Sequence, residues 1–193
     1  MHWQKEKSVS DKYNIPYTKT FEFTKILGIE NITFGKYIII DDFVLIYAKA
    51  KMTIGNYVHI ANFTSITGGD ELVIDDFAAV SQGCRILTAT DDFKEWGFGN
   101  STVNDAYRNV KSAPVRIGKY CVIGANSVVL PGVTIGEGAT VGANSVVTKD
   151  LEPWGVYIGN KKIGTRDKEK VLNTYQRFLS VSDDEQCGSL FSS

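Results

Sequence analysis

Histidine, proline, methionine and cysteine are all scarce in this chain: its 193 residues hold 2 His, 4 Pro, 2 Met and 3 Cys. Two histidines, one of them at position 2, cannot build a multi-histidine metal centre. Cys84, Cys121 and Cys187 are odd in number and far apart, which suits neither a disulfide framework nor a paired-cysteine metal site, so reduced structural thiols are expected. An excess of one charge is also missing. With 21 Lys and Arg against 22 Asp and Glu the formal charge is −1, so no polyanion-binding surface is expected and nucleic acid is not a partner. There is no long apolar run either: the longest uncharged stretch, Tyr120 to Gly136, contains Gly124, Pro131 and Gly132, whereas a membrane helix needs about 20 mostly apolar residues. The opening MHWQKEKSVSDKYNIPY is charged throughout and lacks a signal-peptide core, so a cytoplasmic protein is expected. At 43% hydrophobic and 22% charged residues the chain is too apolar to stay disordered, and its length suits one folded unit.

What the sequence does have is a repeat. An aliphatic residue recurs every six positions within the groups Phe34, Ile40, Ile46; Ile54, Ile60, Ile66; Ile74, Val80, Ile86; Ile117, Ile123, Val129; and Ile135, Val141, Val147. Fourteen of these fifteen anchors are Ile or Val. Small or β-branched residues sit four positions later (Val44, Ala50, Val58, Thr64, Ala78, Cys84), and turn formers such as Gly35, Asp41, Gly55, Gly118 and Gly136 sit one position later. Ile46 to Ile54 and Ile66 to Ile74 are eight apart, so three hexads close one coil and the anchors stack in three columns around a triangular prism. Five such coils, paired at the strand spacing, make a column roughly 24 Å tall with an aliphatic core. Hairpin sheets of a sandwich would instead show a period of two.

The expected fold is therefore all-β: a parallel β-helix of about five coils. It carries one long excursion loop and a C-terminal helix from about Lys168 to Ser180, on which Val171, Leu172, Tyr175 and Leu179 have helical spacing. Residues 1–28 are read as an N-terminal cap or arm, 29–160 as the repeat with its loop at 87–116, and 161–193 as the helix and tail. The loop mixes acids, amides and aromatics without an apolar period, and long loops on rigid scaffolds carry chemistry, so functional residues are sought there.

The segment IGANSVVLPGVTIGEGATVGANSVVTKDLEPWGVYIGN resembles the C-terminal coils of hexapeptide-repeat acyltransferases, and the resemblance spans about residues 29–166. Within that superfamily, HIANFTSITGGDELVIDDF followed by TATDDF and a long loop is similar to bacterial sugar acetyltransferases. Some of these are galactoside O-acetyltransferase-like. Others are N-acetyltransferases of nucleotide-linked 4-amino-4,6-dideoxyhexoses. The resemblance implies a left-handed coil, a homotrimer with active sites between subunits, acetyl-CoA as donor and no metal. Handedness comes from the resemblance alone, since ordinary parallel crossovers are right-handed. The γ-type carbonic anhydrases share the coil but need several histidines as zinc ligands, which this chain lacks.

Acyl transfer needs an aligned nucleophile, a group that takes its proton and donors for the developing oxyanion. His59 is the only imidazole within the repeat; it precedes the anchor Ile60 and so points outward, which makes it the first candidate base, against the alternative of a surface or interface histidine. Galactoside-type relatives carry their catalytic histidine just after the third coil's last strand, where this chain has Thr88-Ala89-Thr90-Asp91-Asp92. Asp91 or Asp92 takes over that role, or His59 does so from the adjacent coil, or the substrate needs little help; the alternative for the acids is solvation or capping. An amine needs less of a base than a sugar hydroxyl does, so the departure favours an amino sugar. Asn62, Trp96, Asn104, Tyr107 and Arg108 are the candidates for acceptor binding, by stacking and by a cation for phosphate.

For CoA, the resemblance carries over Ala125 and Ala143, small residues in equivalent GAN units, and Thr148 and Lys149 of the VTK turn. Lys161, Lys162 and Arg166 are candidates for its phosphates, against a solvated basic turn ahead of a helix. Relatives usually read GNPAKKI where this chain reads GNKKI. The expected function is acetyl transfer from acetyl-CoA to the amino group of a nucleotide-linked amino-deoxy sugar for surface polysaccharide synthesis. O-acetylation of a saccharide is the alternative, and a non-catalytic trimeric scaffold is a third.

Overall fold

Short strands of two to four residues, separated by turns, stack coil on coil into a left-handed parallel β-helix in the computed structural model, which describes residues 12–182 and Gln186. His2, Cys187, residues 1–11 of the expected arm and the end of the expected tail lie outside the described residues. Face one of the prism runs through Thr18–Thr20, Ile38–Ile40, His59–Ile60, Ala79–Val80, Val122–Ile123, Thr140–Val141 and Gly155–Ile158. Face two runs through Lys25–Leu27, Leu45–Tyr47, Ser65–Thr67, Arg85–Leu87, Val128–Val129 and Val146–Val147. Face three holds Ile32–Phe34, Met52–Ile54, Leu72–Ile74, Val115–Ile117 and Thr134–Ile135, with Leu151 bridged to Ile135.

Strand pairing sets the predicted anchors side by side: Ile40, Ile60, Val80, Ile123 and Val141 in one column, Ile46, Ile66, Ile86, Val129 and Val147 in the next. Phe34, Ile54, Ile74, Ile117 and Ile135 form the third. All fourteen Ile and Val anchors are buried, and Phe34 packs partly buried against the end of the core. Cys84 and Cys121 fill corners of the same interior as free thiols, and burial pushes the Cys121 thiol up to about 12, so it stays protonated and inert.

There are about seven coils rather than five. The first begins inside the segment expected to form the arm, where Thr20 and Ile26 stack on Ile40 and Ile46. Thr20 hides the repeat because it is polar. The last coil is closed by Leu151 and Tyr157, the latter paired with Val141. Strand Lys161–Thr165 then folds back antiparallel on Gly155–Ile158. The missing Pro-Ala pair leaves only Gly159 and Asn160 between Ile158 and Lys161, a two-residue hairpin with Gly159 at φ 56°.

Many corners of the coils turn through a residue in the left-handed region, and many of these are aromatic. On the edge between faces three and one, Tyr37, Tyr57, Phe77, Tyr120 and Trp154 hold φ between 56° and 62°, and Tyr37, Tyr57 and Phe77 stack with centroids 4.9 Å apart. Such backbone costs about 1–2 kcal/mol per non-glycine residue, which ring stacking along the column offsets. The helix Lys168–Leu179 is N-capped by Asp167, whose side chain accepts from Lys170 N, and lies on this ladder. Tyr175 and Phe178 make the edge-on contacts, with Phe178 5.1 Å from Tyr57 and 5.3 Å from Phe77, while Leu179 of the expected apolar stripe is exposed. Among the described residues no helix is long and apolar enough to cross a membrane.

Candidate active site

The residues predicted to do chemistry lie in different places on the prism. His59 projects outward from face one, its ring half exposed, beside the edge between faces one and two. Its Nε2 lies 3.1 Å from Oδ2 of Asp41, which stands at the corner one coil below. Asn62 is on the same edge, one coil below Gln82, and Ala125 and Ala143 continue that edge further along. The backbones of these corners run close together: a Cβ on Gly124 would come within 2.5 Å of Ala143 N. The small side chains there leave a flat strip of backbone, which suits a long, thin pantetheine arm.

Phe23, Phe43 and Phe63 flank this edge as an exposed stack, with centroids 5.1 and 5.2 Å apart and rings within 3° and 7° of parallel. Leu45 and Val146 on adjoining face two are exposed as well. The periodicity of twenty that joins these three phenylalanines is readable in the sequence, as is that of Tyr17, Tyr37, Tyr57 and Phe77. Neither ladder was expected from the hexad pattern, and Asp41 was noted there only as a turn residue.

The excursion loop leaves from the edge between faces two and three. Its stem is an antiparallel pair, Ala89–Thr90 with Lys111–Ser112. Beyond the stem, the Asp92 carboxylate accepts from four successive backbone N–H groups, Lys94, Glu95, Trp96 and Gly97, at 2.8 to 3.0 Å, and from Asn109 Nδ2 at 3.0 Å. Those donors, the Lys94 and Gly97 amides foremost, hold its carboxyl far below the ordinary carboxylate range. A carboxylate so engaged builds the loop and is a poor proton acceptor. Asp91 instead pairs with Arg108 at 2.9 Å, and Arg108 also reaches Asp105 at 3.3 Å, so its guanidinium is already committed to two carboxylates. Asn104 caps the short turn Asp105–Tyr107 by accepting from Ala106 N. Trp96 and Tyr107 are exposed at the loop surface, as are Phe93 and Phe98.

The candidate CoA residues are spread further. Thr148 is tied to Asn160 of the hairpin by Thr148 N to Oδ1 at 2.9 Å and Nδ2 to Oγ1 at 2.6 Å, and Lys149 is exposed beside it. Lys162 pairs with Glu152 at 2.9 Å, whereas Lys161 is exposed with no ion pair among the described residues. Arg166 donates to the carbonyls of Tyr120 and Gly138, on the edge that carries the helix. It is thus on a different edge from Ala125 and Ala143, near a cleft of about 360 Å³ between the helix and the aromatic ladder. That cleft is a packing seam away from His59. Among the described residues no group of His, Cys, Asp or Glu is arranged to hold a metal ion.

One chain therefore brings His59, Asn62, Ala125 and Ala143 to one edge of face two and the loop residues to the other. Comparison with known proteins adds the chemistry carried by similar chains. Residues 114–149 match the hexapeptide repeat of succinyl-transferase. The dTDP-4-amino-4,6-dideoxy-D-glucose acyltransferase of Escherichia coli is 36% identical over 166 residues, covering 84% of each chain. AntD, an N-acyltransferase from Bacillus cereus solved in complex with dTDP and 3-hydroxybutyryl-CoA, superposes with a TM-score of 0.79 and is 36% identical over 84% of this chain and 86% of its own. A maltose O-acetyltransferase from Clostridium difficile 630 is more distant, with a TM-score of 0.57 and 25% identity over 69% of each chain.

Proposed function

The chain belongs to the hexapeptide-repeat acyltransferase family, and from that premise we propose that it transfers an acyl group, acetyl in the simplest case, from acyl-CoA to the amino group of a nucleotide-linked amino-deoxy sugar. The observation that carries this reading is the 36% identity, over most of both chains, to an acyltransferase named for dTDP-4-amino-4,6-dideoxy-D-glucose. The O-acetyltransferase neighbour is less similar in both sequence and superposition. We place the enzyme in the cytoplasm, supplying surface polysaccharide synthesis.

Three copies are proposed to pack around a common axis through the edge that carries Phe23, Phe43 and Phe63. An exposed aromatic stack next to apolar Leu45 favours burial against another surface. Packing of this kind would set the loop of one copy, with Asp91, Trp96, Asn104, Tyr107 and Arg108, against the His59 edge of the next. His59 is proposed as the proton acceptor, with Asn62 and the neighbour's loop residues binding the acceptor sugar nucleotide. Asp91 is held by Arg108 within reach of that acceptor, and Asp92 keeps the loop in shape. The pantetheine arm is proposed to run along Ala125 and Ala143, with Thr148, Lys149 and Lys161 toward the nucleotide end. Lys162 and Arg166 are already held by protein groups and serve the scaffold.

In the reaction the neutral amine nitrogen bonds to the thioester carbonyl carbon, the C–S bond breaks, and the amine proton passes through His59 to the departing thiolate. The test is thiol release from acetyl-CoA with purified protein. Release with dTDP-4-amino-4,6-dideoxyglucose, and none with free galactosides or non-amino sugar nucleotides, is expected. Release with hydroxyl acceptors alone would overturn the reading in favour of O-acetylation.

A further inference from the structure

We propose that Asp41 is a positioning residue for His59, fixing the imidazole in the tautomer whose unprotonated Nδ1 receives the proton of the acceptor amine. The proposal rests on the reading of His59 as the base.

The two residues are eighteen apart in sequence and one coil apart in space. A single ladder fixes both backbones: His59 N donates to Ala78 O, and Asp41 N donates to Ile60 O at 3.0 Å. Their side chains meet outside the prism, Nε2 to Oδ2 at 3.1 Å. An ionised carboxylate only accepts, so the proton of a neutral ring lies on Nε2 and the lone pair on Nδ1. Nδ1 has no hydrogen-bond partner among the described residues, which leaves it open to a substrate.

Nothing else competes for the ring. The residues flanking His59 along face one are Ile39 and Ala79, both uncharged. Asp42, next along the corner, has Oδ1 occupied by Phe23 N at 2.8 Å. Asp41 is the one ionic partner of His59 among the described residues, and its own side chain is 29% exposed against 48% for the imidazole. A half-exposed ring without such an anchor would sample several rotamers, and the aligned fraction would fall. As the amine attacks and its C–N bond forms, the ring gains a proton at Nδ1 and becomes imidazolium; the carboxylate at Nε2 stabilises that charge without touching either substrate.

The experiment compares Asp41→Asn, Asp41→Glu and His59→Ala in full-length protein carrying His2→Gln, so that His59 is the sole imidazole. Steady-state kinetics with acetyl-CoA and a dTDP-linked 4-amino sugar, together with ¹⁵N shifts of the ring, give the readout. Asp41→Asn is expected to lower kcat by about tenfold or more with KM within about twofold, and to replace the single Nε2–H signature by a tautomer mixture. Asp41→Glu is expected to recover part of both. An Asp41→Asn enzyme with undiminished kcat and an unchanged tautomer, while His59→Ala is crippled, overturns the positioning role and leaves His59 standing. A loss confined to KM overturns it as well, because Asp41 would then contact substrate. If His59→Ala keeps full kcat, the reading of His59 as base fails and the role of Asp41 falls with it.

Discussion

Two edges of the same prism carry aromatic ladders built on the same coil period, and they differ in what covers them. On the edge between faces three and one, the middle of the ladder, Tyr57, Phe77 and Tyr120, is roofed by Tyr175 and Phe178 of the C-terminal helix. On the edge between faces one and two, Phe23, Phe43 and Phe63 are 55%, 51% and 56% exposed. Both use left-handed corner residues to turn side chains outward, Phe43 and Phe63 among them on the bare edge, so the local geometry is largely shared. The covered ladder keeps one chain together. The bare ladder borders His59, Asp41 and Asn62, and its rings gain by burial only when another molecule arrives. With the proposed base on the bare edge, cohesion and chemistry would occupy different edges, and substitutions on each should have separable effects.

The largest effect is expected from the chemistry of the bare edge. His59→Ala should reduce turnover by about a hundredfold or more while thermal unfolding stays where it was, since the ring is half exposed and contributes little to the core. A parallel loss of melting temperature would mean that His59 belongs to packing and would erase the distinction between the edges. Next comes the ladder itself. Phe43→Glu puts a charge in the middle of the stack and should weaken self-association by about thirtyfold or more, read as a shift toward monomer in sedimentation velocity at micromolar protein, with activity falling alongside. A variant that sediments like the parent would show that this edge is not where copies meet.

The covered edge should answer differently. Phe178→Ala removes edge-on contacts to Tyr57 and Phe77 and should cost about 1.5 kcal/mol in denaturant unfolding, with sedimentation and kcat unchanged. If turnover falls as much as stability does, the helix is coupled to the site and the two edges are not independent.

How much of this was legible in the sequence follows the same division. The fourteen aliphatic anchors, the excursion loop and the helix were all readable, because a buried column demands the same residue type at the same spacing in every coil. The first coil escaped because Thr20 stands where an aliphatic was sought, and the last because the hexad spacing breaks at Leu151 and Tyr157. The ladders were open to discovery through their period of twenty, which only becomes meaningful once the coil length is known. The pairing of His59 with Asp41 needs that coil length as well as the direction of each side chain. Asp91 and Asp92 are chemically identical neighbours, and only three-dimensional structure separates a carboxylate paired with Arg108 from one surrounded by amides.

That last contrast carries the smallest expected effect, and it concerns what holds the excursion loop in shape. The Asp92 carboxyl is depressed in the folded protein, chiefly by the Lys94 and Gly97 amides, so the folded loop holds its proton less tightly than the unfolded chain does. The stabilisation is therefore complete above the unfolded value near pH 4 and is lost as pH falls through the folded value. In the parent protein the amides of Lys94, Glu95, Trp96 and Gly97 should be protected from hydrogen exchange at pH 7, and that protection should fade as the solution becomes strongly acidic. Asp92→Asn offers one neutral acceptor oxygen in place of two charged ones and should exchange faster at these four amides already at pH 7. It should show no acid transition of its own, and the amides of the ladder edges should be unaffected. Protection unchanged in the variant would mean that the loop is shaped by its stem and by Arg108, and that Asp92 is free for other work.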